Sequence, residues 1–220
     1  MSGPAPRREP TALLLREGLA FVLPAALLAA LLAGLQLYVP AAAAGVLAVF
    51  FAGFFRNPQR RAPEVPRAIL SGADGRVMGI AEVEEPRFLK GRAARVSVFM
   101  SVVDVHVNRA PVAGAVLEVV HTPGRFVPAL RAESAAVNEQ NALLLETRQG
   151  HRVLMVQVAG ILARRIACWV GPGDRVARGQ RVGVIRFGSR LDLYLPPESR
   201  VVVRVGEHVR GGESIVGYLP

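Results

Sequence analysis

From Leu19 to Phe55 the chain carries no charged side chain, an unbroken run of 37 residues. A stretch of that length and composition has no polar face to offer water. Leu19–Val39 covers 21 residues, about 31 Å as a helix and so the thickness of a bilayer core. Ala41–Phe55 is shorter, about 22 Å, and spans only with strain or lies partly inserted. Pro40 stands between the two pieces and reads as the turn, while Pro24 inside the first is tolerable in a membrane helix. The expectation is an apolar helical hairpin at the N-terminus. A cleaved signal peptide is the alternative, with Arg7, Arg8 and Arg16 before the run and Ala41–Ala44 as a cleavage site. The apolar core exceeds a signal h-region, however, and a second apolar segment follows at once. Three arginines precede the run and three follow it (Arg56, Arg60, Arg61). That balance fits two crossings with both ends in the cytoplasm, which puts the rest of the chain at the cytoplasmic face of the cell membrane.

Pro58, Pro63 and Pro66 mark a linker, so residues 1–61 read as anchor and linker and residues 62–220 as a β-rich domain. Short runs rich in Val and Ile, punctuated by Gly and Pro, predict strands at Arg76–Val83, Arg95–Met100, Val112–His121, Ala142–Thr147, Arg152–Val158, Arg181–Phe187, Leu191–Leu195, Arg200–Val205 and Ser214–Leu219. Only Val127–Asn138 looks helical. Near the C-terminus, Gly173-Asp174-Arg175-Val176-Ala177-Arg178-Gly179-Gln180-Arg181-Val182 is echoed 33 residues later by Gly206-Glu207-His208-Val209-Arg210-Gly211-Gly212-Glu213-Ser214-Ile215. Its glycines suit sharp reversals with positive φ, and its aliphatics suit an interior. The echo is similar to the hammerhead repeats of biotinyl and lipoyl carriers. The fold class expected is therefore mainly β, with a barrel-sandwich-hybrid-like C-terminal part behind the hairpin.

Composition narrows the chemistry. Of 27 basic residues one is lysine, Lys90, so pyridoxal phosphate, biotin or lipoate carried as a lysine adduct would have to use that residue. The lone Cys168 excludes an intrachain disulfide and an all-cysteine metal cluster, and a reduced thiol agrees with a cytoplasmic site. The net charge of +10 favours anionic partners such as a membrane leaflet, although an arginine-rich composition can equally reflect codon bias. The basic residues are scattered and no recognition helix or zinc motif occurs, so nucleic acid is not an expected partner.

Between the two repeats lies Phe187-Gly188-Ser189-Arg190. The simplest reading of Gly188-Ser189 is a tight turn joining two strands. The sharper one is a peptide bond that breaks itself. A serine hydroxyl attacks the preceding carbonyl, glycine removing the Cβ that would hinder it, and amide becomes ester. Elimination then leaves dehydroalanine, and hydrolysis a pyruvoyl group. The segment lacks the first glycine of a nucleophile elbow.

Phe54-Phe55-Arg56-Asn57-Pro58, Ser71-Gly72-Ala73-Asp74-Gly75, Asp104-Val105-His106-Val107-Asn108-Arg109, His121-Thr122-Pro123-Gly124 and Phe187-Gly188-Ser189 follow one another along the chain. In that order they resemble the phosphatidylserine decarboxylases, most closely the short membrane-anchored bacterial and archaeal branch, over essentially the whole length. The resemblance implies a proenzyme that cleaves itself at Gly188-Ser189 into a large β chain, 1–188, and a small α chain, 189–220. The two would stay together as a heterodimer, with higher oligomers open. It further implies a pyruvoyl group made from Ser189, which forms a Schiff base with phosphatidylserine in the membrane and releases CO₂ and phosphatidylethanolamine without metal or pyridoxal phosphate.

Asp74 matches the site implicated by resemblance in an Asp–His–Ser arrangement for self-cleavage, although Asp-Gly alone would as readily make a β-turn. Longer bacterial members carry two histidines in a motif resembling Asp-Tyr-His-Arg-Val-His-Met-Pro. Here His106 falls on the first and Arg109 on the second, and a protonated guanidinium makes a poor base. Either His106 serves both self-cleavage and carbanion protonation, or processing relies on Asp74 and backbone strain. His121 is a weaker candidate for lining the substrate pocket. Arg109 is a weaker candidate for substrate binding, Arg164, Arg165 and Arg56 are weaker candidates for the lipid phosphate, and His151 and His208 read as ordinary loop or strand-end residues. Two other functions fit parts of the pattern. One is a non-catalytic membrane-tethered adaptor, which requires Gly188-Ser189 to stay intact. The other is a pyruvoyl decarboxylase of a soluble amino acid, which would have no use for the apolar hairpin.

Overall fold

The computed structural model of the chain describes residues 12–128, 130, 134–160, 166–185 and 189–220. Two compact units divide between Gln59 and Arg60. The first is a helix pair, α1 (Arg16–Gly34) and α2 (Tyr38–Phe54). At 19 residues α1 is long and apolar enough to cross a membrane, whereas α2 is a shorter apolar helix of 17. Leu23, Leu27 and Leu31 of α1 lie exposed, a face suited to lipid rather than water. The turn falls earlier than Pro40. Leu35–Leu37 reverse the chain with Gln36 at φ 61°, and Leu37 N–H closes onto Leu32 O at 2.9 Å. Pro40 instead occupies the first turn of α2, where a missing N–H leaves no bond unmade. The left-handed residue that stops α1 is the run's lone glutamine.

The second unit holds the strands β1 (Ala68–Leu70), β2 (Gly75–Glu85), β3 (Gly91–Met100), β4 (Val107–Arg109) and β5 (Gly114–Thr122). After a single helical turn, α3 (Ser134–Val137), come β6 (Gln140–Glu146), β7 (Arg152–Val158), β8 (Ile166–Cys168), β9 (Arg175–Val176) and β10 (Arg181–Ile185). Last are β11 (Ser189–Leu195), β12 (Arg200–Val201), β13 (His208–Val209) and β14 (Ile215–Tyr218). The main sheet runs β13-β2-β3-β11-β7-β6-β5-β9, accompanied by two three-stranded sheets, β1-β14-β12 and β4-β10-β8. The fold is thus mainly β behind a pair of N-terminal helices.

Alternation along the central strands separates two apolar faces. Val96, Val98 and Met100 point to the inner core with Leu191, Leu193, Leu143, Leu145, Val153 and Met155. Leu144, Leu154, Val156 and Val158 point outward and are covered by Phe88. Burial on both faces explains the near-continuous apolar runs of β6 and β7. Of the expected helix at Val127–Asn138, residues 129 and 131–133 lie outside the described residues, and among the rest Ser134–Val137 is helical while Val127, Pro128, Leu130 and Asn138 are not. The Asn138 side chain accepts Val127 N–H at 2.9 Å and donates to Val127 O at 2.8 Å, which replaces helical backbone bonds at Val127.

The repeat seen in the sequence is a repeat in space. Gly173 and Gly206 have φ of 92° and 91°, and Gly179 and Gly212 have 79° and 78°. Gly173 N–H donates to Val116 O and Gly206 N–H to Val77 O, each at 2.8 Å. Gly179 and Gly212 dock likewise on Ala110 O and Ser71 O. Each repeat therefore clips onto the start of a long strand, β5 or β2, in the same register.

Candidate functional site

Because neighbouring strands run antiparallel, β3 ends, β11 begins, β7 ends, β6 begins and β5 ends at one edge of the main sheet. Ser189 opens β11 there, paired with Met100 and fully buried. Its hydroxyl donates to Met100 Sδ at 3.8 Å. A thioether is a weak acceptor, so the proton is loosely held, and among the described residues no donor to the Ser189 hydroxyl oxygen occurs. Gly188, the other half of the expected scissile bond, lies outside the described residues, as do Arg164 and Arg165. Lys90 sits in the β2–β3 connection, at the opposite end of β3 from Met100.

His106 is buried just ahead of β4, and its carbonyl accepts Ile185 N–H at 3.4 Å, four residues before Ser189. Its Nδ1 lies 3.0 Å from Asp104 O. A carbonyl only accepts, so Nδ1 carries the proton and the lone pair of the neutral ring belongs to Nε2. Asp104 is itself tied down. Ser101 donates to Oδ2 from its amide at 2.8 Å and its hydroxyl at 2.7 Å, and His208 Nε2 lies 3.0 Å from Oδ1. Burial alone would raise the Asp104 pKa, but the Ser101 hydrogen bonds and His208 outweigh it and hold the carboxyl below its ordinary value. His208, which reads in sequence as an ordinary strand-end residue, thus reaches from the second repeat to the loop that holds His106. Its place in the repeat, where the first copy has Arg175, is the only sequence signal that sets it apart.

Asp74 precedes β2. Gly75 after it has φ 142°, and a Cβ there would fall 2.0 Å from Phe99 O, so the backbone of this turn packs directly on the segment that pairs with Ser189 and Arg190. The Asp74 carboxylate is engaged by both Arg60 amino groups, one of them at 2.6 Å, and by Gly211 N–H at 2.8 Å. Burial would lower the Arg60 pKa, yet the hydrogen bonds and charge of Asp74, with that of Glu213, raise it. Among the described residues Asp74 therefore touches neither His106 nor Ser189. Arg60, expected as a membrane-flanking charge, has its side chain only 8% exposed in this pair. In a Ser189→Ala chain, Asp74→Ala is expected to lower unfolding free energy by about 3–5 kcal/mol, since it strands a buried guanidinium. Denaturant titration reads that loss, and a change below about 1 kcal/mol would remove the pair from any account of what holds this turn.

Arg109 is buried in β4, where its guanidinium donates to Gly179 O at 2.9 Å and its chain lies against Gly212. It braces the two repeat turns. His121 is half exposed, with Nε2 3.9 Å from Glu139 Oε1. Register places it at the end of a cross-strand row, His121–Asn141–Gln157–Leu191, on the Ser189 side of the sheet. Asn141 and Gln157 in that row are buried, Gln157 bonds to Asn108, and Asn108 reaches Met100. Sequence reasoning passed over Met100, Asn108, Asn141 and Gln157, although polar residues interrupting apolar strands were the available signal. Among the described residues no three His, Cys, Asp or Glu side chains converge as a metal site.

Residues 47–217 match the family profile described as phosphatidylserine decarboxylase. A phosphatidylserine decarboxylase proenzyme of Symbiobacterium thermophilum is 51% identical over 208 residues, covering 93% of this chain and 95% of that one. One from Aromatoleum aromaticum is 44% identical over 211 residues, 96% and 98% of the two chains. One from Desulfotalea psychrophila is 47% identical over 166 residues, 76% and 78% of the two chains. The chain belongs to the phosphatidylserine decarboxylase family. Its members are lyases of lipid biosynthesis, made as zymogens and associated with membranes.

Proposed function

We propose that the chain is a proenzyme that cuts itself between Gly188 and Ser189 and then decarboxylates phosphatidylserine at the cytoplasmic face of the membrane. The observation that carries this reading is Ser189 itself, a fully buried serine at the start of a central strand whose hydroxyl meets only a thioether among the described residues. Ser189 Oγ is the nucleophile toward the Gly188 carbonyl, and His106 Nε2 takes its proton. Asp74 acts at a distance, by holding with Arg60 the turn that packs on Phe99 and Met100.

The residues at Ser189 suit a pyruvoyl group derived from it, because that strand start is dry and borders the His106 loop. When present, such a group supplies a ketone that condenses with the substrate amine and accepts the electron pair released as CO₂ departs. His106 then returns a proton to the substrate carbon as general acid. His121, at the exposed end of the polar row, faces the approach to the site, and Arg164 and Arg165 remain candidates for the phosphate. Arg109 contributes by bracing the repeats.

Residues 1–61 serve as anchor and linker and 62–220 as the catalytic part, cut into chains of 1–188 and 189–220. After the cut the small chain cannot simply leave. β11 lies between β3 and β7, and β14 pairs with β1, so both segments remain hydrogen-bonded to the large chain. The hairpin keeps the site at its substrate's surface. Deleting residues 1–55 is expected to lower turnover of phosphatidylserine vesicles about tenfold or more while sparing detergent-dispersed short-chain substrate. Equal loss in both assays would contradict the anchoring role.

A further inference from the structure

Three buried side-chain amides form a directed chain through the inner core. Asn141 Nδ2 donates to Gln157 Oε1 at 2.9 Å, and Gln157 Nε2 donates to Asn108 Oδ1 at 2.7 Å. Asn108 Nδ2 points at Met100 Sδ, 3.6 Å away. The same sulfur receives the Ser189 hydroxyl at 3.8 Å. The direction is settled by the last link. Reversing all three amides would keep the internal bonds but turn the Asn108 carbonyl onto the lone pairs of a thioether, where neither atom is a donor. Space for the chain is built in, because a Cβ on Gly183 would lie 3.0 Å from Gln157 Nε2.

An amide buried with sulfur as its acceptor is poorly compensated, so apolar residues would serve stability better. The arrangement makes sense as a means of orienting the sulfur. One lone-pair direction of Met100 is fixed by Asn108, and the other is left to the Ser189 proton. Accepting that proton weakly turns the oxygen lone pairs away from Met100 without tying up the hydroxyl against a base. We infer that Met100, held by the Asn141–Gln157–Asn108 relay, positions the Ser189 hydroxyl for cleavage of the preceding peptide bond. The inference rests on the self-cleavage proposed above and makes Met100 and Asn108 positioning residues.

The test follows proenzyme disappearance in full-length chains made by cell-free synthesis, sampled over time by gel and intact mass. Met100→Leu nearly conserves volume and is expected to slow cleavage about tenfold, the loss of one modest hydrogen bond. Met155→Leu is the control, an equally buried methionine of the same core outside the relay, and it should cleave at the parental rate. Asn108→Ala should slow cleavage to a similar degree, with little further effect when Met100 is already leucine. Cleavage of Met100→Leu at the parental rate overturns the inference, as does equal slowing by Met155→Leu or full additivity of Met100→Leu and Asn108→Ala. If the parental chain itself stays intact, the self-cleavage reading falls and takes the inference with it.

Discussion

Ser189→Ala is expected to leave the chain whole and without decarboxylase activity. Alanine has no oxygen to attack the Gly188 carbonyl, so the amide-to-ester shift never begins and no ketone is made. The replacement is otherwise mild, because Ser189 is buried beside Met100 and, among the described residues, the hydrogen bond its hydroxyl loses is a long one to sulfur. A melting temperature close to that of the parental proenzyme is therefore expected alongside the complete loss. Gel analysis and release of CO₂ from phosphatidylserine vesicles read the two effects separately. Retained turnover in an uncut alanine variant would mean that the electron sink lies elsewhere in the molecule.

His106→Ala is expected to lower decarboxylation of already processed protein by about 10²- to 10⁴-fold, the usual worth of a positioned acid–base group. Two features support so large an effect. The ring is buried and its Nδ1 proton is directed at Asp104 O, so of the two ring nitrogens Nε2 carries the lone pair. The preceding carboxylate is locked by Ser101 and His208, which keeps the loop from relaxing. The same substitution should slow self-cleavage, because Arg109 does not replace the ring. That guanidinium remains protonated and is directed at the Gly179 carbonyl. Cleavage at the parental rate with decarboxylation lost would confine His106 to the second reaction.

The β-rich character, the apolar hairpin and the glycine repeats were legible in the residues because each leaves a local mark. Alternation marks the long strands, an uncharged run marks the helices, and paired glycines with near-equal φ mark the repeats. The strands that escaped, β1, β4, β8, β9 and β13, are two or three residues long. Nothing so short has a period, and each exists because a distant partner offers a ladder. Pro40 misled for a related reason, since proline both ends helices and begins them. At the site, Ser189 and His106 stand inside contiguous motifs, which makes them visible as candidates in the sequence. The amide relay could not, because Asn108, Asn141 and Gln157 come from three strands of two different sheets that only the tertiary fold brings together. Arg60 and Asp74, fourteen residues apart, join for the same reason, and Asp74 has its carboxylate engaged by Arg60 and Gly211 rather than by the histidine its motif suggested.

Intact mass of the purified, membrane-extracted protein tests the central claim most directly. The account predicts two species that divide between residues 188 and 189, the smaller lighter by one ammonia than residues 189–220 beginning with serine. A single full-length species that still turns over phosphatidylserine, or a small chain that begins with unmodified serine, would contradict it.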